Sequence, residues 1–286
     1  MHSRDCCPSI FLLLISLCAL SLPGRAQSND GGDPTAPADI EALQRQAARG
    51  NATAEYFLGL AYMNGSGVPQ DYKQAALWYK AAAVQGQRNA ENNLGSLYES
   101  GLGVHKNLPE AVRWYRAAAG HGDSIAQCNL ASAYFSGMGV ARDYSQAAIW
   151  FHAAADQGSA PAQYLLSTMY YRGLGVPLDF QEAAKWARRA ALQGDARAQA
   201  NMGSLYEQEK GVPLDYMNAY RWYSLATQNG DVRSKAQLKN LSRLMTSQHI
   251  LEAIASGTPQ PSTPAAFDTI AANSFLQRHQ QIIPFH

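Results

Sequence analysis

The five tryptophans of the chain stand on a single period: Trp78, Trp114, Trp150, Trp186 and Trp222 are each 36 residues apart. A rare residue confined to one spacing, in the range of about 20–50 residues, is the signature of stacked structural repeats. Each unit then buries its apolar face against the next, so the chain reads as an array of units instead of a single closed core. Aligned on tryptophan, the units run 52–87, 88–123, 124–159, 160–195 and 196–231. The fourth, Ala160 to Asp195, is APAQYLLSTMYYRGLGVPLDFQEAAKWARRAALQGD.

Within a unit the apolar spacing is helical twice over. Ala54, Ala90, Ala126, Ala162 and Ala198 start a stripe. It continues four residues on with Leu58, Leu94, Leu130, Leu166 and Met202, and four further with Tyr62, Tyr98, Tyr134, Tyr170 and Tyr206. An i, i+4, i+8 stripe is one face of an α-helix and is incompatible with strand alternation. Gly59, Gly95, Ala131, Ser167 and Gly203 interrupt it with small residues that permit close approach of a neighbouring helix. Paired loop glycines follow, such as Gly173 and Gly175, then a valine, and in three units a proline (Pro69, Pro177, Pro213) that prevents the first helix from continuing. Asp71, Asn107, Asp143, Asp179 and Asp215 are placed to cap a second helix. That helix carries Ala75, Ala111, Ala147, Ala183 and Ala219, then the tryptophan, then Ala82, Ala118, Ala154, Ala190 and Ala226. A glycine such as Gly194 ends it. The expected fold is all-α: a right-handed α-solenoid of five 36-residue helix-turn-helix repeats with helical caps. Alanine seams let the helices close up, and the tryptophan and tyrosine rings fill the space between units.

The pattern A-x-x-x-L-G-x-x-Y-x-x-G-x-G-V-x-x-D-Y-x-x-A-x-x-W-Y-x-x-A-A-x-x-G resembles Sel-1-like repeats, a 36-residue relative of the tetratricopeptide repeat, over about 180 of the 286 residues. Two departures are local. The fifth unit has Glu209-Lys210-Gly211 where the others have Gly-x-Gly, and the fourth has Ala187 after its tryptophan where the others have Tyr or Phe. Some secreted members of that family carry a disulfide in each repeat, and this chain has none. The resemblance implies an adaptor or scaffold and no catalysis.

The flanks add the remaining expectations. Ile10 to Leu22 is a 13-residue apolar run after Arg4 and before Gly24-Arg25-Ala26. It is too short to span a bilayer, which takes about 20 residues, and reads as a signal peptide over 1–26 cut after Ala26. Residues 27–38 read as a flexible leader, 39–51 as an N-terminal capping helix, and 232–256 as a C-terminal cap of one helix, or two broken near Thr246-Ser247. Residues 257–286 form a Pro/Ser/Thr linker and tail. The processed chain would be secreted or periplasmic, with no membrane span, and monomeric. It would hold 21 basic against 21 acidic residues, with no overall pull on nucleic acid. One cysteine would remain, Cys128, a small buried hydrophobe.

Catalytic, cofactor and metal motifs are missing from the sequence. No His-x-x-x-His, Cys-x-x-Cys, Gly-x-Ser-x-Gly or phosphate loop occurs, and His105 and His121 fall in turns where they are expected to be solvated. By analogy with tetratricopeptide proteins, the first helix of each unit faces a concave groove. There it presents Tyr56, Met63, Asn92, Glu99, Phe135, Tyr164, Tyr171, Arg172 and Glu207, with Leu60, Ser96, Ser132, Thr168 and Ser204 between them. Aromatic and arginine side chains amid small polar ones suit a protein or extended-peptide partner. Each of these residues can alternatively complete packing inside its own unit. Two other readings stand beside the adaptor. One is a carbohydrate- or peptidoglycan-active or -binding protein of the cell envelope. The other is a eukaryotic secretory-pathway adaptor, for which Asn51-Ala-Thr, Asn64-Gly-Ser and Asn240-Leu-Ser are sequons. The core assignment of the tryptophans is testable in urea unfolding: Trp114→Ala should cost on the order of 3–5 kcal/mol, and a loss below about 1 kcal/mol would contradict it.

Overall fold

The computed structural model describes residues 40–255 and 257; the predicted signal peptide, leader and most of the linker and tail lie outside them. Among the described residues there are thirteen α-helices and no strand. A short helix, α1 (Ile40–Ala47), precedes five hairpins: α2 (Ala52–Asn64) with α3 (Tyr72–Val84), α4 (Arg88–Ser100) with α5 (Leu108–Gly120), α6 (Ser124–Ser136) with α7 (Tyr144–Asp156), α8 (Ala160–Arg172) with α9 (Phe180–Leu192), and α10 (Ala196–Glu207) with α11 (Tyr216–Gln228). Two helices close the array, α12 (Ser234–Leu241) and α13 (Ser247–Ala255), so the C-terminal cap is the broken form. From α1 to α12 each helix packs on the next, which is the connectivity of an α-solenoid, and α13 folds back on α11.

The caps explain where each helix starts. Asp71, Asp143 and Asp179 accept backbone N–H bonds from the second and third residues beyond them, and Asn107 and Asp215 accept one each. First helices are capped as well, by Asn51, Gln87, Asp123, Ser159 and Asp195. Each such bond satisfies an orphan donor and is worth about 1 kcal/mol. Helix ends correct one expectation. The first helices stop at a left-handed glycine, as at Gly65 and Gly173 (φ 72° and 66°), well before the prolines, so glycine sets the stop. In the fifth unit Glu209 takes that conformation (φ 54°), the single non-glycine residue with positive φ among those described. The second loop glycine has a further duty. A Cβ on Gly211 would overlap the Phe180 carbonyl of the unit before, and one on Gly103 the Tyr72 carbonyl. Hence Gly211 is kept in the same loop that loses its first glycine.

The seam inside each hairpin is set by a pair of residues. The side chain after each tryptophan (Tyr79, Tyr115, Phe151, Ala187, Tyr223) is the deeply buried one. It lies over the small residue of the first helix: a Cβ on Gly95 would sit 2.7 Å from the Tyr115 ring, and one on Gly203 2.8 Å from Tyr223. The five pairs are Gly59 with Tyr79, Gly95 with Tyr115, Ala131 with Phe151, Ser167 with Ala187, and Gly203 with Tyr223. Where the ring is lost, at Ala187, the opposite side gains bulk. The tryptophans divide. Trp114, Trp186 and Trp222 are buried, Trp186 at 2% exposure, while Trp78 and Trp150 are half-buried and still pack against core clusters.

A polar ladder runs through this apolar stack. Glu55, Glu91, Gln127, Gln163 and Gln199 occupy one repeat position and are all buried. Each is bonded to the residue 30 positions later, at the end of its unit's second helix: Gln85 (2.6 Å), His121 (2.9 Å), Gln157 (2.8 Å), Gln193 (2.8 Å) and Asn229 (2.9 Å). Gln163 and Gln199 also donate at 3.0 Å to the Ala155 and Ala191 carbonyls of the preceding unit, and Gln127 to Ala119 at 3.3 Å. The amides thus tie the two helices of one unit and the unit before at a single point. His121 is accordingly no free turn residue: it is the C-cap of α5 and its Nδ1 lies against a buried carboxylate.

The left-handed Glu209 generates a stability prediction. Glu209→Gly should raise the urea unfolding free energy by about 0.5–1 kcal/mol, because a β-carbon is strained at that φ and glycine is not. A decrease would show that the Glu209 side chain makes contacts outweighing the strain.

Candidate functional site

The positions of the first helices that the seam leaves over form the candidate surface. They divide into side chains held inside the repeat and side chains left at the surface. Glu99 and Glu207 belong to the first group. Glu99 Oε2 accepts from the Tyr115 hydroxyl at 2.6 Å, and Glu207 Oε2 accepts from Tyr223 at 2.8 Å. Both carboxylates therefore satisfy a buried phenol, and neither is an independent anchor. Phe135 is 8% exposed and meets Tyr144 edge-on with ring centroids 5.1 Å apart, in the same cluster as Phe151. Its face is spent on the core, which corrects the expectation that it lines a groove. The logic is the same in all three cases. In the second and fifth units glutamate accepts from the tyrosine that follows the tryptophan, in the third unit phenylalanine goes with phenylalanine, and in the first unit Met63 holds the same position beside Tyr79.

Tyr56 and Met63 of α2 are half-buried and flank the first core cluster, Tyr56 beside Phe57 at 5.3 Å between ring centroids. Asn92 accepts from Asn129 Nδ2 at 3.0 Å, a bond between the first helices of neighbouring units. Between those units, Glu99, Asn129, Ser132, Tyr115 and Met138 line a small, shallow, open depression. On α8, Tyr164 and Tyr171 are half-buried and Arg172 is exposed. The Arg197 guanidinium of the next unit lies 4.5 Å over the Tyr164 ring and is paired with Asp195 at 2.7 Å. Tyr171 is met by two side chains of the fifth unit: its hydroxyl donates to Gln208 Oε1 at 3.3 Å and accepts from Lys210 Nζ at 2.7 Å. The structure therefore gathers Tyr164, Tyr171 and Arg172 on one helix, joined to the unit after it, and spreads Tyr56, Met63 and Asn92 along the array. Lys210, Gln208 and Arg197 are absent from the sequence-derived set. The signal for Lys210 lay in the Glu-Lys-Gly that breaks the Gly-x-Gly pattern.

The buried phenols carry the electrostatic signature of the surface. Burial pushes the hydroxyls of Tyr79, Tyr115 and Tyr223 well above the ordinary tyrosine range, and the Glu99 and Glu207 carboxylates push Tyr115 and Tyr223 further. Burial also raises Tyr164, with the Arg197 charge opposing it. Among the described residues no three His, Cys, Asp or Glu side chains converge to hold a metal, and no helix is long and apolar enough to cross a membrane.

The family model described as Sel1 repeat matches residues 52–87, 88–123, 124–159, 160–195 and 196–231. Among solved structures, the chain is similar to a protective antigen present in uropathogenic Escherichia coli strains that displays an SLR fold. Identity is 36% and the TM-score 0.69, over 85% of this chain and 48% of that one. The chain thus spans about half the length of that protein. A Sel1 repeat protein from Oxalobacter formigenes is similar at 30% identity and a TM-score of 0.68, over 76% of this chain and 91% of that one. Among curated proteins none matches.

A pH dependence follows from the phenols. Their folded pKa values lie above the unfolded value of about 10. Their contribution to stability is therefore complete below pH 10 and is lost as pH rises through the folded values, because unfolding then releases protons. The urea midpoint should fall as pH rises from about 10 to about 12, and Tyr115→Phe together with Tyr223→Phe should flatten that fall. An unchanged slope in the double variant would place the alkaline sensitivity elsewhere.

Proposed function

The chain belongs to the Sel1 repeat family, and we propose that it works as a non-catalytic adaptor outside the cytoplasm, secreted or periplasmic, that holds a protein or extended peptide along the first-helix face of its solenoid. The coarse part rests on the family, whose repeats are protein-interaction modules and generally non-catalytic scaffolds. The observation that carries the finer part is the surface of α8. Tyr164, Thr168 and Tyr171 are half-buried and Arg172 exposed on α8, so each keeps part of its surface outside the core, and the second and fifth units offer Asn92, Ser96 and Ser204 at related positions. Half-buried tyrosines present a rigid, amphipathic contact surface at low entropic cost, which suits recognition of a flexible partner. The 13-residue apolar run and the Gly24-Arg25-Ala26 motif that follows it support export.

The test uses a photo-crosslinking amino acid in the full chain in its native host. Placed at Thr168 or Tyr171, it should give a discrete protein adduct. Placed at Ile149, exposed on the second helix α7, it should give none. The same preparation, by intact mass, should begin at Gln27. Equal adducts at all three positions, or no adduct at any, would remove the groove reading. A chain retaining its first 26 residues would remove the exported one.

A further inference from the structure

The junction between the fourth and fifth units departs from the repeat in a way that the scaffold role does not require. The residue after the first loop glycine position is Leu102, Met138 and Leu174 in the second, third and fourth units. There it does apolar work: Leu174 packs on a core cluster and Met138 lines the depression beside Glu99. In the fifth unit the residue is Lys210. Its ammonium lies 4.7 Å from the Tyr171 ring centroid and 5.2 Å from that of Phe180, and it donates to the Tyr171 hydroxyl at 2.7 Å. All of these partners are neutral. Among the described residues no carboxylate pairs with it, although the neighbouring cation–aromatic pair, Arg197 on Tyr164, has Asp195 at 2.7 Å. The turn that delivers Lys210 is the strained one, with Glu209 at φ 54°. Such strain persists where surroundings over-determine it, and it gathers at binding sites. The wider field agrees. Residues 160–243 hold eleven basic against seven acidic side chains, whereas residues 40–159 hold nine of each.

We infer that this junction is a receptor for an acidic side chain, an aspartate or glutamate of an extended peptide lying along the first-helix face. The inference rests on the groove reading above and deepens it by naming the chemistry that one stretch of the partner presents. A carboxylate offers two acceptor oxygens. One takes an N–H of the Lys210 ammonium, and the other takes the Tyr171 hydroxyl, whose present bond to Gln208 is long at 3.3 Å. Charge-assisted bonds of this kind are about twice as strong as neutral ones. The aromatic walls shield the pair from water and salt, so it holds more tightly than a surface ion pair.

The test pans a random 12-residue peptide phage library on the full chain and on Lys210→Met, which installs the side chain that Met138 already provides in the third unit and so leaves the fold intact; equal melting curves check this. Peptides recovered on the parent should be enriched in Asp or Glu. Their affinity by fluorescence anisotropy should fall about tenfold in Lys210→Met, and less in Tyr171→Phe, which keeps the ring and removes one donor. Recovered peptides without acidic enrichment, or acidic peptides that bind Lys210→Met equally well, overturn this inference and leave the peptide-binding reading standing. Recovery of no peptide by either protein counts against the peptide-binding reading itself and takes this inference with it.

Discussion

The close approach of the two helices in each hairpin is the constraint on which the structure rests. A helix pair can close to contact along alanines, but in four of the five hairpins a ring must still be housed where they cross, and it fits only if the facing residue has almost no side chain. The units meet that condition by different routes. Glycine faces tyrosine in three of them, alanine faces phenylalanine in the third, and serine faces alanine in the fourth. A small residue on the first helix is kept in every unit, whatever stands opposite it. The buried hydroxyls of Tyr115 and Tyr223 then need acceptors, and Glu99 and Glu207 supply them from the same first helices. Packing thereby dictates polar residues that, viewed one at a time, look available for binding.

The second organising element is the buried amide ladder. An apolar seam alone would allow neighbouring units to slide or rotate. A buried glutamine that must be satisfied at both ends permits one arrangement only, since a displaced one leaves an unmet donor at a cost of about 1–3 kcal/mol. Gln163 reaches Gln193 in its own unit and the Ala155 carbonyl in the unit before, and Gln199 repeats the arrangement one step on. The first two units use glutamate at this position, paired with Gln85 and His121. The ladder is therefore continuous in geometry while its chemistry changes from ionisable to neutral along the array.

The architecture was legible because it is periodic. Tryptophan spacing, alanine stripes, loop glycines and capping aspartates each recur five times or nearly so, and errors at one copy are corrected by the others. The site was legible only in part, since periodicity averages away what is particular to one unit. Phe135 resembled Tyr171 by position, and the two differ because Phe151 follows one tryptophan and Ala187 the other. That pairing crosses the hairpin and is invisible along a single helix. The Glu and Gln ladder had a fixed repeat position, but a polar residue between core positions reads as a solvated face until its partner 30 residues away is known. Lys210 was noticed as a missing glycine pattern and not as a charge delivered onto a neighbour's ring.

Gly211 and its counterparts bear on how such a chain can change its length. Because the second loop glycine touches the backbone of the unit before, and the amides reach back in the same direction, the junctions into the third, fourth and fifth units share these two contacts. Copying any internal block of 36 residues in frame would reproduce a complete junction at both of its ends. Deleting one would rejoin halves that already match. Evolution can therefore lengthen or shorten the array by whole modules without redesigning its interior. The closing helices are the parts that cannot be copied inward, because they lack the half-junction that a successor needs.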